Sequence, residues 1–132
     1  MIESPPVATI VQTMLRDSQN LYAEQLRLAC ARHRPPAEAR ALDEPTGQRE
    51  VDGSGLSRLN LTTAADLVET LHILAQSPHR ELIEDGLPIA GLTGTLAERF
   101  PTGPARGRVR AKTGTLRGTT ALSGYVYDAS GI

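Results

Sequence analysis

The spacing of apolar residues changes along this chain, and that change constrains the fold more than any other feature. Near the N-terminus, Val7, Ile10 and Val11 recur at the spacing of one helical face. After residue 107, apolar and polar residues alternate, which is the period of a strand. Helices first and an antiparallel strand pair last predict an α/β (α+β) domain, with helices packed on an antiparallel sheet.

The same pattern predicts individual elements. A first helix begins after Ser4-Pro5-Pro6, with the serine as its cap. The second has Asn20 as a cap, and the third has Thr62 or Thr63. The helices and helical turns after the first are predicted at about 21–31, 64–76, 79–84 and 95–100, the strands at 109–113 and 120–127, and a tight hairpin connection at 116–119. Most of 34–55 is rich in proline, glycine and charge and is predicted to be loop.

Composition excludes several classes of protein. The 132 residues suffice for a single domain, and a net charge of −1 offers no electrostatic case for nucleic acid. Cys30 is alone, so no internal disulfide forms, and its helical spacing predicts a small core residue. The three histidines show no metal-ligand spacing, and no stretch is long enough to cross a bilayer. We expect no metal and no cofactor.

Two short motifs contain residue types that take part in catalysis in other proteins. Ser18-Gln19-Asn20 lies at a predicted helix–helix junction, where serine and asparagine are ordinary caps. Lys112-Thr113-Gly114 lies on the first predicted strand and contains the single lysine, whereas the other 13 basic residues are arginine. Each motif alone is weak. Together, in this order, they match two of the three motifs of penicillin-binding proteins and class A β-lactamases.

Longer stretches narrow the match to one family. The chain resembles the D-alanyl-D-alanine carboxypeptidase/endopeptidase family of low-molecular-mass penicillin-binding proteins (peptidase family S13) over nearly its whole length. The blocks that carry the resemblance are "SPPVATIVQTMLRDSQNLYAEQLRL", "VDGSGLSRLNLTTAADLV", "LPIAGLTGTLAERF" and "VRAKTGTLRGTTALSGYV". The resemblance implies a serine β-lactamase/transpeptidase-like fold and cleavage of peptidoglycan stem peptides ending in D-Ala-D-Ala through an acyl-enzyme that β-lactams also form.

The resemblance also implies a role for each matching residue. Ser18 would relay a proton to the leaving amine, and Asn20 would hydrogen-bond the substrate's backbone amide. Lys112 would hold Ser18 in register and attract the terminal carboxylate, a task suited to a compact cation rather than a planar fork. The hydroxyls of Thr113 and Thr115 would donate to that carboxylate, and the Thr115 backbone N–H would be one oxyanion-hole donor. Gly114 would let a peptide lie along the strand.

One departure from the family is decisive. The family's nucleophile lies in a Ser-x-x-Lys motif, and Val109 stands three residues before the single lysine, so no such motif occurs here. We therefore expect 1–132 to be a single partial domain, the C-terminal portion of the transpeptidase-like domain, and to be inactive alone. The missing N-terminal region as a separate chain would be a partner. The alternative is a non-catalytic remnant or a fragment that binds muropeptide or a partner.

Remaining features have milder interpretations. Ser54 and Ser57, in the Gly-rich Asp52–Arg58 block, lack the context of a nucleophile elbow, so Asp52 and the glycines are predicted to shape a turn. "GLTGTL" at 91–96 lacks the ending of a phosphate-binding loop. The stretch between Cys30 and Asp52 is expected to be short for the family and to lack a helix. Family members work outside the cytoplasmic membrane, although no export signal is present in this sequence.

Overall fold

The computed structural model describes residues 3–33 and 49–128. In these ranges the elements are α1 (Val7–Asp17), α2 (Asn20–His33), α3 (Ala64–Gln76), α4 (Arg80–Gly86), a 3-10 helix (Gly94–Leu96), β1 (Val109–Leu116) and β2 (Thr119–Val126). The two strands form an antiparallel sheet against which helices pack. This arrangement confirms the predicted α+β class.

Helix α1 forms where the apolar face was predicted but is capped differently. Pro6 is the N-cap residue, and no side chain caps the helix. The prediction that Ser4 caps it was therefore wrong, because Ser4 lies two residues too early to reach the free N–H groups of the first turn. The helix packs against α4. Its half-buried positions run from Ile10 to Leu15.

Helix α2 begins at Asn20 and runs to His33, so it starts one residue earlier and ends two residues later than predicted. Cys30 is exposed, and the prediction that it is a core residue was wrong. The cover over α2 comes from the loop at Gly53, where a Cβ would lie 2.6 Å from the Ala23 oxygen. Within the described ranges this contact reaches as far as Arg27, and the residues from Arg27 to His33 are exposed.

Helix α3 matches its predicted bounds, and its start explains why. The Thr63 hydroxyl accepts a hydrogen bond from the Asp66 N–H, and the Asp66 carboxylate accepts one from the Thr63 N–H. This reciprocal capping box marks a helix start in the sequence itself. The helix is joined to the sheet by Tyr125, whose hydroxyl donates to the Leu71 carbonyl at 2.8 Å.

The buried core lies between the sheet and the segment before it. Among the described residues, the buried apolar side chains are those of Leu87, Pro88, Ala90, Leu96, Ala111 and Tyr125. The segment containing Ala90 runs beside the start of β1, where the Ala90 N–H donates to the Val109 carbonyl at 2.9 Å. The turn-rich segment and the hairpin therefore form one packed unit, and the predicted turn at 95–100 is a 3-10 helix at 94–96.

The hairpin is confirmed in position and type. Leu116 pairs with Thr119, so the connection is the two residues Arg117-Gly118. Gly118 has φ +83°, in the left-handed region that glycine adopts without steric cost. Residues 34–48 contain most of the predicted loop and the stretch that was expected to lack a helix, and they lie outside the described residues. The predicted loop continued to residue 55, and its described part is not entirely loop, because Arg49 pairs with Leu61 in a β-bridge.

Candidate active site

Ser18 is held in position by the end of α1. It has φ 56° and ψ 49°, and its N–H donates to the Met14 carbonyl. A non-glycine residue in this left-handed conformation is uncommon. The conformation stops α1 and lets α2 begin two residues later. Ser18 and Asn20 therefore lie on opposite sides of a sharp junction, and both line the same cleft.

Lys112 meets Ser18 across 94 positions of sequence. Its Nζ donates to the Ser18 Oγ at 2.7 Å and to the Thr113 carbonyl at 2.7 Å. Lys112 is half-buried, and this burial lowers the pKa of its ammonium group below the usual 10.5. The geometry places a partly desolvated cation directly on a serine hydroxyl.

The two motifs form the walls of one cleft of about 650 Å³. Helix α2 contributes Asn20 and Ala23 to its lining, and residues 53–56 form a further wall. The opposite wall is β1 from Lys112 to Leu116. All six residues predicted for the site line this cleft: Ser18, Asn20, Lys112, Thr113, Gly114 and Thr115.

One edge of β1 is open along this cleft. The Ala111 N–H donates to the Pro88 carbonyl at 3.0 Å, on the edge that faces away from β2. Because backbone groups alternate along a strand, the N–H and C=O groups of Thr113 and Thr115 point to the same outer edge. Within the described ranges, no backbone group pairs with the amides of these two threonines. Among the described residues, the cleft therefore presents a strand edge without a backbone partner next to the lysine–serine pair.

Gly114 lies in the middle of this open edge. A Cβ built there would meet a single neighbour within 4 Å among the described residues, the Ala121 Cβ at 3.8 Å, which is ordinary van der Waals contact. Packing against the described residues thus places no demand for glycine at this position. The absence of a side chain instead leaves room on the cleft side of the strand.

Sequence reasoning missed two residues beside the site. The Thr113 hydroxyl donates to the Thr95 hydroxyl at 2.8 Å. Glu24, one turn into α2, accepts hydrogen bonds from the Gly53 and Ser54 N–H groups, both at 3.1 Å. The bond from Gly53 is the largest cause that holds the pKa of Glu24 below its ordinary value. Thr95 lies in the "GLTGTL" stretch, so its proximity to a motif threonine had no signal in the local sequence.

Asp52 organises the wall at 53–56, as its predicted turn-shaping role requires. Its carboxylate accepts hydrogen bonds from the Asn60 side-chain amide at 2.8 Å and from the N–H groups of Gly55 and Ser57 at 2.8 and 2.7 Å. The bond from Asn60 contributes most to lowering the pKa of Asp52. The Arg58 guanidinium then donates to the Arg117 carbonyl at 3.0 Å, which ties this loop to the hairpin tip.

Ser54 and Ser57 serve the loop. The Ser54 hydroxyl donates to Asp52 at 3.3 Å, and the Ser57 hydroxyl accepts from the Leu59 N–H at 3.2 Å. These contacts support the structural role predicted for both serines.

Protonation of the Asp52 carboxylate at low pH should weaken the hydrogen bonds that it accepts in the loop at 52–58. Because folding lowers the pKa of Asp52 below 3.8, the carboxylate contributes stability above that value and loses it as pH falls through its folded pKa. We expect the backbone amide signals of Gly55 and Ser57 to shift together in an NMR pH titration, with a midpoint below 3.8. Asp52→Asn should displace both signals at neutral pH. Glu50→Gln, at an exposed neighbouring carboxylate, should leave them in place; a midpoint above 3.8 would contradict the assignment.

Two further observations concern the described ranges. Residues 3–33 and 49–128 contain no group of three His, Cys, Asp or Glu side chains that could hold a metal ion. No helix among them combines the length and apolar character needed to cross a membrane.

Comparison with known proteins identifies the family of this chain. The D-Ala-D-Ala carboxypeptidase 3 (S13) family matches residues 1–132. Penicillin-sensitive carboxypeptidase A from Dictyostelium discoideum is 35% identical over 140 residues, covering 93% of this chain and 27% of its own length. Carboxypeptidase DacB from Mycolicibacterium smegmatis is 36% identical over 149 residues, covering 98% of this chain and 32% of its own length.

Two solved structures have a fold similar to that of this chain. Penicillin-binding protein 4 (dacB) from Haemophilus influenzae has a TM-score of 0.81 at 28% identity, covering 97% of this chain and 32% of that one. Its complex with a novel β-lactam has a TM-score of 0.77 at 29% identity, covering 96% of this chain and 33% of that one. This chain thus spans roughly a third of the length of the relatives it matches.

Proposed function

The chain belongs to the S13 family of D-Ala-D-Ala carboxypeptidases, and from that premise we propose that it supplies the substrate-binding and proton-relay part of a serine-type D-Ala-D-Ala carboxypeptidase or endopeptidase. The substrate class is the peptidoglycan stem peptide, and the reaction proceeds through an acyl-enzyme that β-lactams also form, outside the cytoplasmic membrane. The observation that carries the proposal is the 2.7 Å bond from Lys112 to Ser18 beside an open strand edge.

The lysine–serine pair suits proton transfer to a leaving amine. Lys112 donates to Ser18, so the serine oxygen is polarised and its own proton is free to point into the cleft. When a peptide bond breaks, the departing nitrogen must gain a proton, and the Ser18 hydroxyl can donate one while Lys112 replaces it. Asn20, on the opposite wall, has the amide that can hydrogen-bond the substrate's backbone.

The open edge of β1 suits an extended peptide. A peptide added along this edge would pair with the outward backbone groups of Thr113 and Thr115. The Thr115 N–H is then available to a developing oxyanion, and the threonine hydroxyls and Lys112 form a polar, cationic end for a terminal carboxylate. Gly114, between them, leaves room for the peptide backbone.

Turnover would require a nucleophile in addition to the residues of this sequence, since its 132 residues contain no Ser-x-x-Lys. The Ser18 hydroxyl accepts a hydrogen bond from Lys112, and the hydroxyls of Ser54 and Ser57 form hydrogen bonds within the Asp52 loop. This feature favours a second candidate function, the binding of muropeptide without turnover. The two candidates share the same cleft and differ in whether a Ser-x-x-Lys segment accompanies it.

The test of the proposal is peptide binding by the chain itself. We expect acetyl-L-Lys-D-Ala-D-Ala to shift the amide NMR signals of Thr113, Gly114 and Thr115 in a saturable way, because these groups form the open edge. The matched control is the same peptide ending in L-Ala-L-Ala, which should cause much smaller shifts. Equal shifts with both peptides, or shifts confined to another surface, would contradict the proposal.

The same sample also tests the assignment of the serines. Incubation with a penicillin should leave the intact mass of the chain unchanged, because the sequence contains no Ser-x-x-Lys motif to supply an activated serine. A stoichiometric adduct on Ser18, Ser54 or Ser57 would show that one of them is.

A further inference from the structure

We propose that Thr95 is a positioning residue of the carboxylate end of the cleft: it orients the Thr113 hydroxyl and so makes the site prefer ligands with a free terminal carboxylate over amidated ones. The inference rests on the proposed function and assigns a role to the "GLTGTL" stretch, for which the sequence suggested none. Its starting point is the 2.8 Å bond between the two hydroxyls.

The chemistry of two paired hydroxyls explains why Thr95 matters. A hydroxyl has one proton to donate and two lone pairs to accept with. Without a ligand, Thr113 donates its proton to Thr95. When a carboxylate enters, Thr113 must donate to the ligand instead, and Thr95 can then turn and donate to the Thr113 oxygen. The resulting chain of two hydrogen bonds ends on the negative charge, and each bond strengthens the other.

The backbone around Thr95 is anchored on both sides. Gly94 precedes it with φ +56°, and a Cβ at Gly94 would lie 2.5 Å from the Arg16 carbonyl oxygen, so this turn is pressed against the end of α1. Leu96 follows it and is fully buried, and its carbonyl accepts from the Gly91 N–H at 2.9 Å. The contacts of Gly94 and Leu96 therefore hold the backbone at 94–96, and with it the Thr95 hydroxyl, in a fixed position.

The segment 90–96 contacts both elements that hold the site, the end of α1 and the start of β1. The Arg16 carbonyl against which Gly94 packs is two residues before Ser18, and the Ala90 N–H donates to β1 through the Val109 carbonyl. Thr95 thus lies on a segment that packs against the elements holding Ser18 and Lys112. A fixed partner reduces the freedom that the Thr113 hydroxyl loses on binding, which is how preorganisation raises affinity.

The preference for a carboxylate follows from charge. A hydrogen bond to an ionised acceptor is about twice as strong as one to a neutral acceptor. An amidated terminus offers Thr113 a neutral carbonyl and gains less from the aligned pair. Removing the Thr95 hydroxyl should therefore weaken acid binding by about five- to tenfold, with a smaller effect on the amide.

The experiment measures the affinities of the chain for acetyl-L-Lys-D-Ala-D-Ala and for its C-terminal amide by NMR titration. Thr95→Val keeps the shape and removes the hydroxyl, and the ratio of amide to acid dissociation constants should fall by several-fold. Thr95→Ser restores a hydroxyl and should restore the ratio. Thr70→Val is the matched control, since the Thr70 hydroxyl bonds to the Asp66 carbonyl within α3, away from the cleft. Thr95→Ala serves as a second variant if the valine does not fold.

Each outcome decides the proposal. A lower ratio in Thr95→Val, rescued by serine and unchanged in Thr70→Val, supports it. Equal weakening of both peptides shows a structural role only and overturns it, as does an unchanged ratio. If the unaltered chain binds both peptides equally well, the positioning role fails while the proposed function stands. If it binds neither, both fail.

Discussion

Lys112→Arg should lower the rate of acylation by a labelled penicillin about ten- to a thousand-fold, the effect of losing one preorganised electrostatic contact. The protein for this measurement is a fusion that joins the chain to a Ser-x-x-Lys segment from a family member. Arginine keeps the charge, but its wide planar head cannot take the place of a compact ammonium that bonds both the Ser18 hydroxyl and the Thr113 carbonyl.

The control is an arginine-to-lysine change on the same hairpin. Arg117→Lys alters an exposed side chain at the tip of the hairpin and should leave acylation unchanged. A pH series adds a second readout. Because burial lowers the pKa of Lys112, acylation by the unaltered fusion should fall as pH rises through a value below 10.5, and the arginine variant should lack that fall. Equal rates in two folded proteins would remove the active-site assignment of Lys112.

Gly124→Ala should destabilise the chain by about 3 kcal/mol and abolish peptide binding. Gly124 pairs with Ala111 across the sheet, and an added Cβ would overlap with the Arg110 carbonyl oxygen and lie 2.5 Å from the Ala111 Cα. The two strands must therefore separate. Lys112 follows Ala111 on the same strand, so the contact with Ser18 should be lost as well. Thermal unfolding followed by circular dichroism measures the first effect, and peptide titration measures the second.

Gly114→Ala is the matched change on the facing strand, with the opposite expected pattern. Its Cβ would make one ordinary contact among the described residues, so unfolding should shift by about 0.5 kcal/mol or less. Peptide binding should nevertheless weaken, because the methyl occupies the room that Gly114 leaves at the open edge. If both alanine variants unfold at the same temperature as the unaltered chain, the packing argument for Gly124 is wrong.

Elements with a local signal were predictable from the sequence. The capping box of Thr63 and Asp66 lies within four residues, and α3 begins where these two residues indicate. The hairpin was predictable because Gly118 provides the backbone conformation that a two-residue connection needs. One error occurred where burial decides: Cys30 has a helical spacing suited to a core, but no described segment covers that end of α2. The other was local, because Ser4 lies two residues before the N-cap position that Pro6 occupies.

The sequence by itself determined the helices, the hairpin and, through its motif blocks, the family. These depend on propensities, caps, turn residues and spacing, all of which act over a few positions. Tertiary structure alone decided that Lys112 lies 2.7 Å from Ser18, that Glu24 anchors the Asp52 loop and that Thr95 pairs with Thr113. The physical reason is that hydrogen bonds and desolvation act through space, over a few ångströms, between residues that are 18 to 94 positions apart.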